Sequence, residues 1–369
     1  MLNEIISKHL NEVAIPKVQV VDLFCGIGGL SYGLRSSGLT VVSGYDIDSS
    51  CKFAYEFNNS ALFFNKDIKK VTGSEISGQY DEGVVRVLAG CAPCQPFSSY
   101  ARTQKKKDPN KYDLLYDFGR LIREVQPEIV TMENVIELTR FSIKPVLSDF
   151  VKSLVESGYF VTVENVFCPD YGIPQMRKRL VLLASKLGEI RLKEKTHTKD
   201  EYVTVGDVLK VLPPIGAGED NPEDPLHKSV ALSDLNMKRM QATPYGGSWK
   251  DWPENLQLKC HKKSSGKSYS SVYARMVWEC PSPTITTECI GFGNGRFGHP
   301  VQNRAITARE AAILQTFPNS YRFFENDKLI SINKAAQYIG NAVPPKLGEV
   351  IGESILNHIA LVYRKKVTI

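Results

Sequence analysis

The sequence predicts an α/β fold: a parallel sheet with helices on both faces, followed by a smaller irregular domain. Three observations predict it. Short apolar runs alternate with helical segments along the first half of the chain, as in sheets buried on both faces. A glycine-rich turn joins the first apolar run to the first helix. Residues 186–299, by contrast, are rich in Pro, Gly, Lys and Ser and lack a regular period.

The strands and helices of the larger domain are expected in chain order. Residues 19–24 form a short apolar run that predicts a buried strand, and a helix follows the glycine turn. Further strands are expected at 40–45, 61–64, 84–89 and 128–132, with a helix at 114–125. Residues 307–315 and 346–363 have the spacing of helices, and the second of these is amphipathic.

Composition excludes several classes of protein. Apolar residues make up 42% and charged residues 23% of the 369 residues, which is typical of a globular enzyme and not of a disordered chain. No run of about 18 apolar residues is present, so we expect no membrane span. The first residues lack the pattern of a signal peptide, so we expect a cytoplasmic protein. The net charge of +6 favours a polyanionic partner, and the eight cysteines are expected as reduced thiols.

The glycine turn is the first candidate for a binding site. Gly26, Gly28 and Gly29 follow a strand and open a helix, so the backbone there can approach a ligand closely. Asp46 ends the next strand, where an acid can accept hydrogen bonds from ribose hydroxyls. The Gly-x-Gly-Gly spacing differs from the dinucleotide motif, which disfavours a pyrophosphate ligand. The alternative is a packing turn of a doubly wound sheet.

The segment Cys91-Ala-Pro-Cys94 is the second candidate. Its spacing could indicate half of a zinc site or a redox pair, but no second pair of ligands with comparable spacing exists, and we expect no metal. Cys94 follows a strand and stands between two prolines, at the carboxyl edge where ligands of α/β folds bind. A nucleophilic thiol is therefore plausible there, with buried structural thiols as the alternative.

Two further polar groups follow strands or precede them. Glu133-Asn134 ends another strand at the same edge, where an acid can donate a proton or a hydrogen bond to a substrate. Arg177 and Arg179 are two residues apart, so on a strand they face the same way. A solvated acid and a solvated basic edge are the alternatives.

Six motifs, in order, resemble the DNA cytosine-5 methyltransferase family of the bacterial and phage restriction-modification type. Residues 22–29 resemble the family's first motif, and Pro93-Cys-Gln-Pro-Phe-Ser98 its nucleophile motif. Glu133-Asn-Val135 is similar to the acid motif. Gln175-Met-Arg-Lys-Arg179 is similar to a Gln-Arg-x-x-Arg-type motif with Met in place of one Arg. Residues 304–318 and 337–344 resemble the ninth and tenth motifs.

The resemblance implies a Rossmann-like S-adenosylmethionine-dependent methyltransferase fold. It implies a catalytic and cofactor-binding domain at 1–185, a target-recognition domain at 186–299, and a return to the catalytic domain at 300–369. The implied cofactor is S-adenosylmethionine, with S-adenosylhomocysteine as product. The implied cofactor-binding residues are Phe24, Gly26, Gly28, Gly29, Asp46 (ribose), Ile47 (adenine face), Asp67 (adenine amino group), Ile68, Pro93, Leu114, Asn341 and Val343.

The resemblance also implies a covalent mechanism. Cytosine C5 is a poor nucleophile, and the Cys94 thiolate adding at C6 would turn the ring into an enamine that can attack the methyl group. Glu133 would hydrogen-bond N3 and the exocyclic amine, and Arg179 would bind O2 with Arg177 in support. The target must be flipped out of its duplex. The partners implied are double-stranded DNA and a cognate restriction endonuclease acting on the same site, and we expect a monomer.

Two segments are expected to contact DNA. Residues 100–112 carry five basic residues and one acid and follow Cys94 directly, which favours a lid that contacts phosphates. Residues 257–276 carry no acid, with Lys259, Lys262, Lys263, Lys267 and Arg275 interleaved with Tyr269 and Tyr273. A solvated charged loop is the alternative.

Two other functions compete. One is methylation of cytosine in RNA, as in one branch of the family. The sizeable variable region and its basic stretch favour duplex DNA. The other is a silent DNA-binding regulator, which the joint presence of Cys94, Glu133, Arg179 and the glycine turn disfavours.

Overall fold

The computed structural model describes residues 16–93, 113–140, 146–263, 266, 271–326 and 331–367. The chain forms two compact units. The first comprises Met1–Val166, Lys178–Glu194 and Leu347–Ile369, and the second Phe167–Arg177 and Lys195–Lys346. This division differs from the predicted borders at 185 and 300, because residues 300–346 group with the second unit. The recognition role of 186–299 stays a prediction.

The strands of the described chain are named in order of sequence. They are β1 (Val18–Leu23), β2 (Thr40–Asp46), β3 (Leu62–Asn65), β4 (Val85–Gly90), β5 (Ile129–Asn134), β6 (Phe160–Phe167), β7 (Lys178–Ser185), β8 (Asp220–Asn221) and β9 (Asp224–Lys228). The first seven form one sheet in the order β3-β2-β1-β4-β5-β7-β6. The strands β3 to β5 of this order pair in parallel. Their carboxyl ends therefore share one edge of the sheet.

The helices are named in the same way. They are α1 (Gly29–Ser36), α2 (Lys52–Asn59), α3 (Gly73–Ser77), α4 (Asp113–Val125), α5 (Val146–Glu156), α6 (Val205–Leu209), α7 (Asp234–Ala242), α8 (Ala308–Leu314), α9 (Ile332–Asn341) and α10 (Pro345–Val367). The helices expected at 114–125, 307–315 and 346–363 are α4, α8 and α10. In the described part of the chain, no helix is long and apolar enough to cross a membrane.

Both faces of the sheet are buried. On one face, Leu23, Leu88 and Met132 belong to a buried cluster with Phe118 of α4 and Phe150 of α5, whose rings lie 5.6 Å apart. The alternate strand residues Val20, Val87 and Ile129 are also fully buried. This pattern confirms the expected α/β architecture.

The last helix packs closely on the first. A Cβ placed at Gly348 of α10 would lie 2.7 Å from the carbonyl oxygen of Leu30, and one at Gly352 would lie 2.0 Å from Oγ of Ser37. Two glycines one turn apart thus let α10 approach α1. The end of the chain therefore supports the helix that follows the glycine turn.

The strands predicted from the sequence, β1 to β5, pair in parallel as expected, and a further strand, β7, departs from this pattern. This strand pairs antiparallel with β5, with Glu133 opposite Val181 and Asn134 opposite Leu180. Ten residues separate β6 from β7, which is short for the crossover that two parallel strands need. The antiparallel pairing brings the start of β7 beside the end of β5.

The second unit contains short elements around buried polar groups. Arg304 is fully buried, and its Nη1 and Nη2 donate to the carboxylate of Glu310 at 2.8 and 2.7 Å. Thr307 caps α8, and its backbone N–H also donates to Glu310. Each buried charge has its partner, so removal of one member would leave the other buried and uncompensated and would destabilise the fold strongly.

Candidate active site at the carboxyl edge of the sheet

The glycine turn leaves open space beside its backbone. Gly26 has φ +51°, and a Cβ placed on it would have no atom within 4 Å. Its N–H donates to Oδ2 of Asp46 at 2.8 Å, which ties the turn to the end of β2. Phe24, two residues earlier, also has a positive φ, of 58°. The turn is thus held in a conformation that costs energy and that allows a ligand to approach.

Gly28 serves a different purpose from Gly26. A Cβ at Gly28, where φ is +91°, would lie 2.2 Å from Nδ2 of Asn59 and 2.9 Å from Cδ2 of Tyr55. Both side chains belong to α2. The sequence pattern assigned all the glycines of the turn to ligand approach, whereas Gly28 is needed for packing against α2. Gly29 is the first residue of α1 and is buried.

The segment after β2 is held by backbone and side-chain hydrogen bonds. The other oxygen of Asp46, Oδ1, accepts from the N–H of Asp48 at 2.9 Å. Nδ2 of Asn65, at the end of β3, donates to the carbonyls of Asp46 and Ile47 at 3.1 and 2.9 Å. The side chain of Ile47 is 72% exposed. An apolar side chain is therefore presented to solvent beside a carboxylate.

The remaining predicted cofactor residues of the first unit have different surroundings. Oδ1 of Asp67 accepts from the N–H of Lys69 at 3.1 Å, so this carboxylate caps a short 3₁₀ turn. Ile68 is buried in the core cluster. Leu114 is half-buried in α4, and Pro93 is exposed after β4. Asn341 and Val343 belong to the second unit, where Asn341 ends α9 and Val343 is buried.

Asp22 was missed as a candidate by the sequence analysis. It is 1% exposed, and Oγ of Ser31 donates to its Oδ2 at 2.7 Å. Ser31 in turn lies 3.1 Å from the hydroxyl of Tyr55. Within the described residues, Oδ1 of Asp22 has no hydrogen-bond partner. Burial is the main cause that raises the pKa of Asp22 to about 7; the hydrogen bond from Ser31 lowers the pKa, and the charge of Asp46 adds a smaller increase. An acid inside an apolar strand was the signal available in the sequence.

Glu133 and Arg179 form the charged pair of the site. Glu133, at the end of β5, is 6% exposed, and its Oε1 lies 2.8 Å from Nε of Arg179 in β7. The antiparallel pairing of β5 with β7 brings these residues together. A carboxylate held by a guanidinium at a sheet edge can bind polar groups of a substrate through both members.

Asn134 connects the end of β5 to the segment that follows β4. Its Nδ2 donates to the carbonyl of Ala92 at 3.1 Å, and its Oδ1 accepts from the N–H of Val135 at 2.8 Å. The N–H of Cys91 donates to the carbonyl of Leu23 at 3.2 Å. The backbone leading to Cys94 is therefore anchored to β1 and β5.

Cys94 itself lies outside the described residues, as do the predicted lid at 100–112, Lys267 and Tyr269. Cys91 is described and half-buried. Burial raises the pKa of its thiol well above the ordinary value, and the charges of Glu133 and Asp22 raise it further. Cys91 is therefore protonated at neutral pH and is a poor nucleophile.

Arg177 and Arg179 have different partners. Arg177 belongs to the second unit and is 3% exposed, and its guanidinium donates to the carbonyls of Ile285 and Ala342 at 3.1 and 3.4 Å. Its side chain thus joins backbone segments within that unit. Arg179 belongs to the first unit and contacts Glu133. A shared orientation of the two arginines, as on one strand, is not supported, because Arg177 precedes β7.

Two residues of the predicted DNA-contacting stretch pack within their unit, Arg275 buried and Tyr273 half-buried. Arg275 is 4% exposed and donates to the carbonyls of Thr243, His299, Gln302 and Met240 at 2.7–2.9 Å. Tyr273 packs edge-on against Trp252, with ring centroids 5.2 Å apart. The expectation that Arg275 faces phosphates is therefore wrong, because its donors are used by the backbone around it.

Comparison with known proteins agrees with this geometry. The family model of C-5 cytosine-specific DNA methylases matches residues 18–357. The Type II methylase M.HgiDII of Herpetosiphon aurantiacus is 50% identical over 336 residues, covering 91% of this chain and 94% of the relative. The Type II methyltransferase M1.HphI of Haemophilus parahaemolyticus is 30% identical, covering 95% and 89%.

A solved structure shares the fold. A prophage-encoded protein of E. coli described as a DNA modification methyltransferase superposes with a TM-score of 0.70 at 22% identity. The alignment covers 92% of this chain and 99% of that one. Spodoptera frugiperda DNMT2 superposes with a TM-score of 0.61 at 18% identity, which again concerns the fold alone. Methyltransferases of this fold generally use S-adenosylmethionine. The chain belongs to the C-5 cytosine-specific DNA methylase family and is a DNA cytosine-5 methyltransferase.

Proposed function

We propose that this enzyme methylates C5 of a flipped-out cytosine within a specific duplex DNA sequence, through a covalent bond between Cys94 and C6. The observation that carries the proposal is the pair of Glu133 and Arg179, 2.8 Å apart at the carboxyl edge of the sheet. Asn134 anchors the backbone two residues before Cys94 to the same strand end. The acid and the guanidinium thus lie at one edge of the sheet, and the segment that leads to Cys94 is tied to the same edge.

The first unit fits S-adenosylmethionine. The space beside Gly26 is open, and a ligand in that space would contact a Cβ if residue 26 had one. The exposed Ile47 offers an apolar surface next to Asp46. Asp46 would bind the ribose, Asp67 the adenine amino group, and the turn from Phe24 to Gly29 the methionine portion. When bound, S-adenosylmethionine supplies the electrophilic methyl group. Ile68 is buried in the core, so we assign its contribution to the backbone of the turn that it begins.

The chain's own residues then carry the base through the reaction. The sulfur of Cys94 would form a bond to C6, and the electron pair released toward C5 would form the bond to the methyl carbon as that carbon's bond to the donor sulfur breaks and S-adenosylhomocysteine leaves. Glu133 binds N3 and the exocyclic amine, and Arg179 binds O2, so charge developing on the ring is stabilised as the thiol adds. Removal of the C5 proton restores the double bond and expels the sulfur of Cys94.

The cellular role proposed is protection of DNA within a Type II restriction-modification system. The curated relatives named above are Type II methylases, and they align with this chain over most of their length. A bacterial or phage enzyme of this kind acts in the cytoplasm on the same site as a cognate endonuclease. Arg177 would hold the second unit's backbone in support of catalysis, and residues 186–299 would read the target sequence.

Bisulfite sequencing of DNA from cells that express this chain tests the proposal. We expect conversion-resistant cytosines at one position of one short sequence. Glu133→Gln is the matched control, because it keeps the shape of the side chain and removes the charge that faces Arg179. Resistant cytosines in transfer RNA with none in DNA would favour the RNA reading. Binding of DNA with no resistant cytosine in either nucleic acid would favour a silent regulator.

Exchange of residues 186–299 for the matching region of another family member tests where specificity resides. We expect a folded, active chimera to methylate the donor protein's sequence. A folded, active chimera that keeps the original target would place recognition elsewhere in the chain.

A further inference from the structure

We propose that His261 positions a basic loop of the second unit, residues 253–263, so that Lys259 and Lys263 contact DNA phosphates. We name this segment the lysine loop. The inference rests on the proposed function, in which this unit binds duplex DNA, and it identifies which side chains of the unit do so.

His261 is the buried residue of the lysine loop. Its side chain is 5% exposed. The residues on either side of it, Cys260 and Lys262, are exposed, and residues 256–258 are half-buried. In the second half of the loop, residues 259–263, His261 is therefore the side chain that attaches the backbone to the body of the unit.

The ring of His261 is held by aromatic contacts. It stacks on Trp249 with ring centroids 4.0 Å apart and planes 24° apart. The ring of Tyr273 meets it edge-on at 5.9 Å, and Trp252 lies 6.1 Å away. Trp249 and Trp252 are themselves buried in a cluster with Met240 and Phe292. The loop is thus anchored in the hydrophobic centre of its unit.

The anchor works through the shape of the ring and not through its charge. Burial lowers the pKa of His261, and the guanidinium of Arg239 lowers it further, so the imidazole is neutral at pH 7. Within the described residues, its Nδ1 has no hydrogen-bond partner. A phenylalanine can therefore replace the ring without losing a hydrogen bond at that nitrogen.

The first half of the lysine loop is tied by hydrogen bonds that do not involve His261. Nε of Arg239 donates to the carbonyl of Leu256 at 2.9 Å, and Nε2 of Gln257 donates to the carbonyl of Trp252 at 3.1 Å. Within the loop, Lys262 pairs with Glu254, with Nζ 2.7 Å from Oε1. The loop has a defined backbone on its first half, and His261 fixes the second half.

Two lysines of the loop have their charges available. In the described part of the chain, neither Lys259 nor Lys263 forms an ion pair, and both are exposed. They flank His261 on its two sides, whereas Arg275 is consumed by backbone carbonyls and Lys262 by Glu254. Two unneutralised ammonium groups fixed on one anchored loop suit the phosphates of a duplex.

The salt dependence of DNA binding tests the inference. The probe is a fluorescent 20-base-pair duplex of mixed sequence, titrated by anisotropy at several salt concentrations, because phosphate contacts do not depend on sequence. Each phosphate contact contributes about 0.9 to the slope of log affinity against log salt. We expect Lys259→Ala and Lys263→Ala each to reduce the slope by about 0.9. We expect His261→Ala to reduce it by up to about twice that amount, although both lysines remain.

Two further variants and one further measurement make the result specific. His261→Phe should keep the wild-type slope, because the stacked ring is retained. Lys152→Ala, at an exposed lysine of α5 in the first unit, should also leave the slope unchanged. The affinity of His261→Ala for S-adenosylmethionine, measured by calorimetry, should equal that of the wild type if the first unit is intact.

The inference fails if folded His261→Ala keeps the wild-type slope, or if neither lysine variant changes it. If His261→Ala does not fold, the two lysine variants and His261→Phe still test the inference. A reduced slope of log affinity against log salt in His261→Phe would contradict an anchor based on ring stacking. Methylation of the same duplex pool by the wild type is measured in parallel. An active wild type with unchanged variant slopes overturns this inference alone, whereas a wild type that methylates no DNA overturns the proposed function.

Discussion

Gly26 and Gly83 offer a matched pair of substitutions that separates ligand approach from backbone strain. Both have positive φ, +51° and +74°, and a Cβ placed on either has no atom within 4 Å. An alanine held in this left-handed region costs about 1–2 kcal/mol. Gly26→Ala and Gly83→Ala should therefore lose similar stability in thermal or urea unfolding.

The two variants should differ in their affinity for S-adenosylmethionine. Gly26 faces the open space beside Asp46, whereas Gly83 precedes β4 at the opposite end of the strand. A methyl group on Gly26 occupies the space that S-adenosylmethionine would fill, so we expect its affinity to fall at least tenfold, or about 1.4 kcal/mol. Calorimetric titration of Gly83→Ala should give the wild-type affinity.

Gly28→Ala completes the set, because its Cβ would lie 2.2 Å from Nδ2 of Asn59. Crowding of a packed interior typically costs about 1–3 kcal/mol in addition to backbone strain. We therefore expect Gly28→Ala to be the least stable of the three variants. Equal donor affinity in Gly26→Ala and Gly83→Ala would refute the role given to Gly26. A Gly28→Ala protein as stable as Gly83→Ala would refute the packing role of Gly28.

Three other predictions concern single side chains. Between pH 3.8 and about 7, Asp22 binds more protons in the folded protein than in the unfolded one, so the folded protein loses stability as pH rises. Asp22→Asn removes this loss and should gain about 4 kcal/mol of unfolding free energy relative to the wild type between pH 4 and pH 8. Parallel plots of unfolding free energy against pH for the two proteins, measured with urea, would contradict this. Asn65→Leu removes two hydrogen bonds to the backbone of residues 46–47. It should raise the Kd for S-adenosylmethionine severalfold, measured by calorimetry, and leave the Tm of thermal unfolding unchanged. Glu310→Gln strands a buried guanidinium and should cost about 3–5 kcal/mol of unfolding free energy, against less than about 1 kcal/mol for the exposed Glu156→Gln.

Local sequence patterns were sufficient for the elements that carry the proposed S-adenosylmethionine site. The apolar runs at 19–24 and 40–45 correspond to β1 and β2, because a strand buried on both faces needs nearly continuous apolar residues. Asp46 lies twenty positions after Gly26, at the end of the next strand, which places both at the same sheet edge, and the hydrogen bond between them agrees with that placement. These features depend on neighbours in sequence or on adjacent parallel strands.

Features that depend on distant partners could not be predicted. The antiparallel position of β7 decides that Arg179 meets Glu133, and no local pattern encodes strand order. Arg275 looked like a phosphate contact because a buried arginine and an exposed one have the same local sequence. Its partners include backbone carbonyls 24–35 residues away along the chain. Likewise, the packing of Asn59 beneath Gly28 required the position of α2.

The most direct test of the account is covalent trapping on DNA that carries 5-fluorocytosine at the target. Fluorine at C5 cannot leave as a cation after methyl transfer, so the bond between the attacking sulfur and C6 survives denaturation. Cys91 has a raised pKa through burial and is expected to be a packing residue. We predict an adduct with the wild type and with Cys91→Ala, and the turnover of Cys91→Ala should stay within about tenfold of the wild-type value. We predict no adduct with Cys94→Ala, which should still bind DNA. A denaturation-resistant adduct formed by Cys94→Ala, or one lost only in Cys91→Ala, would contradict it.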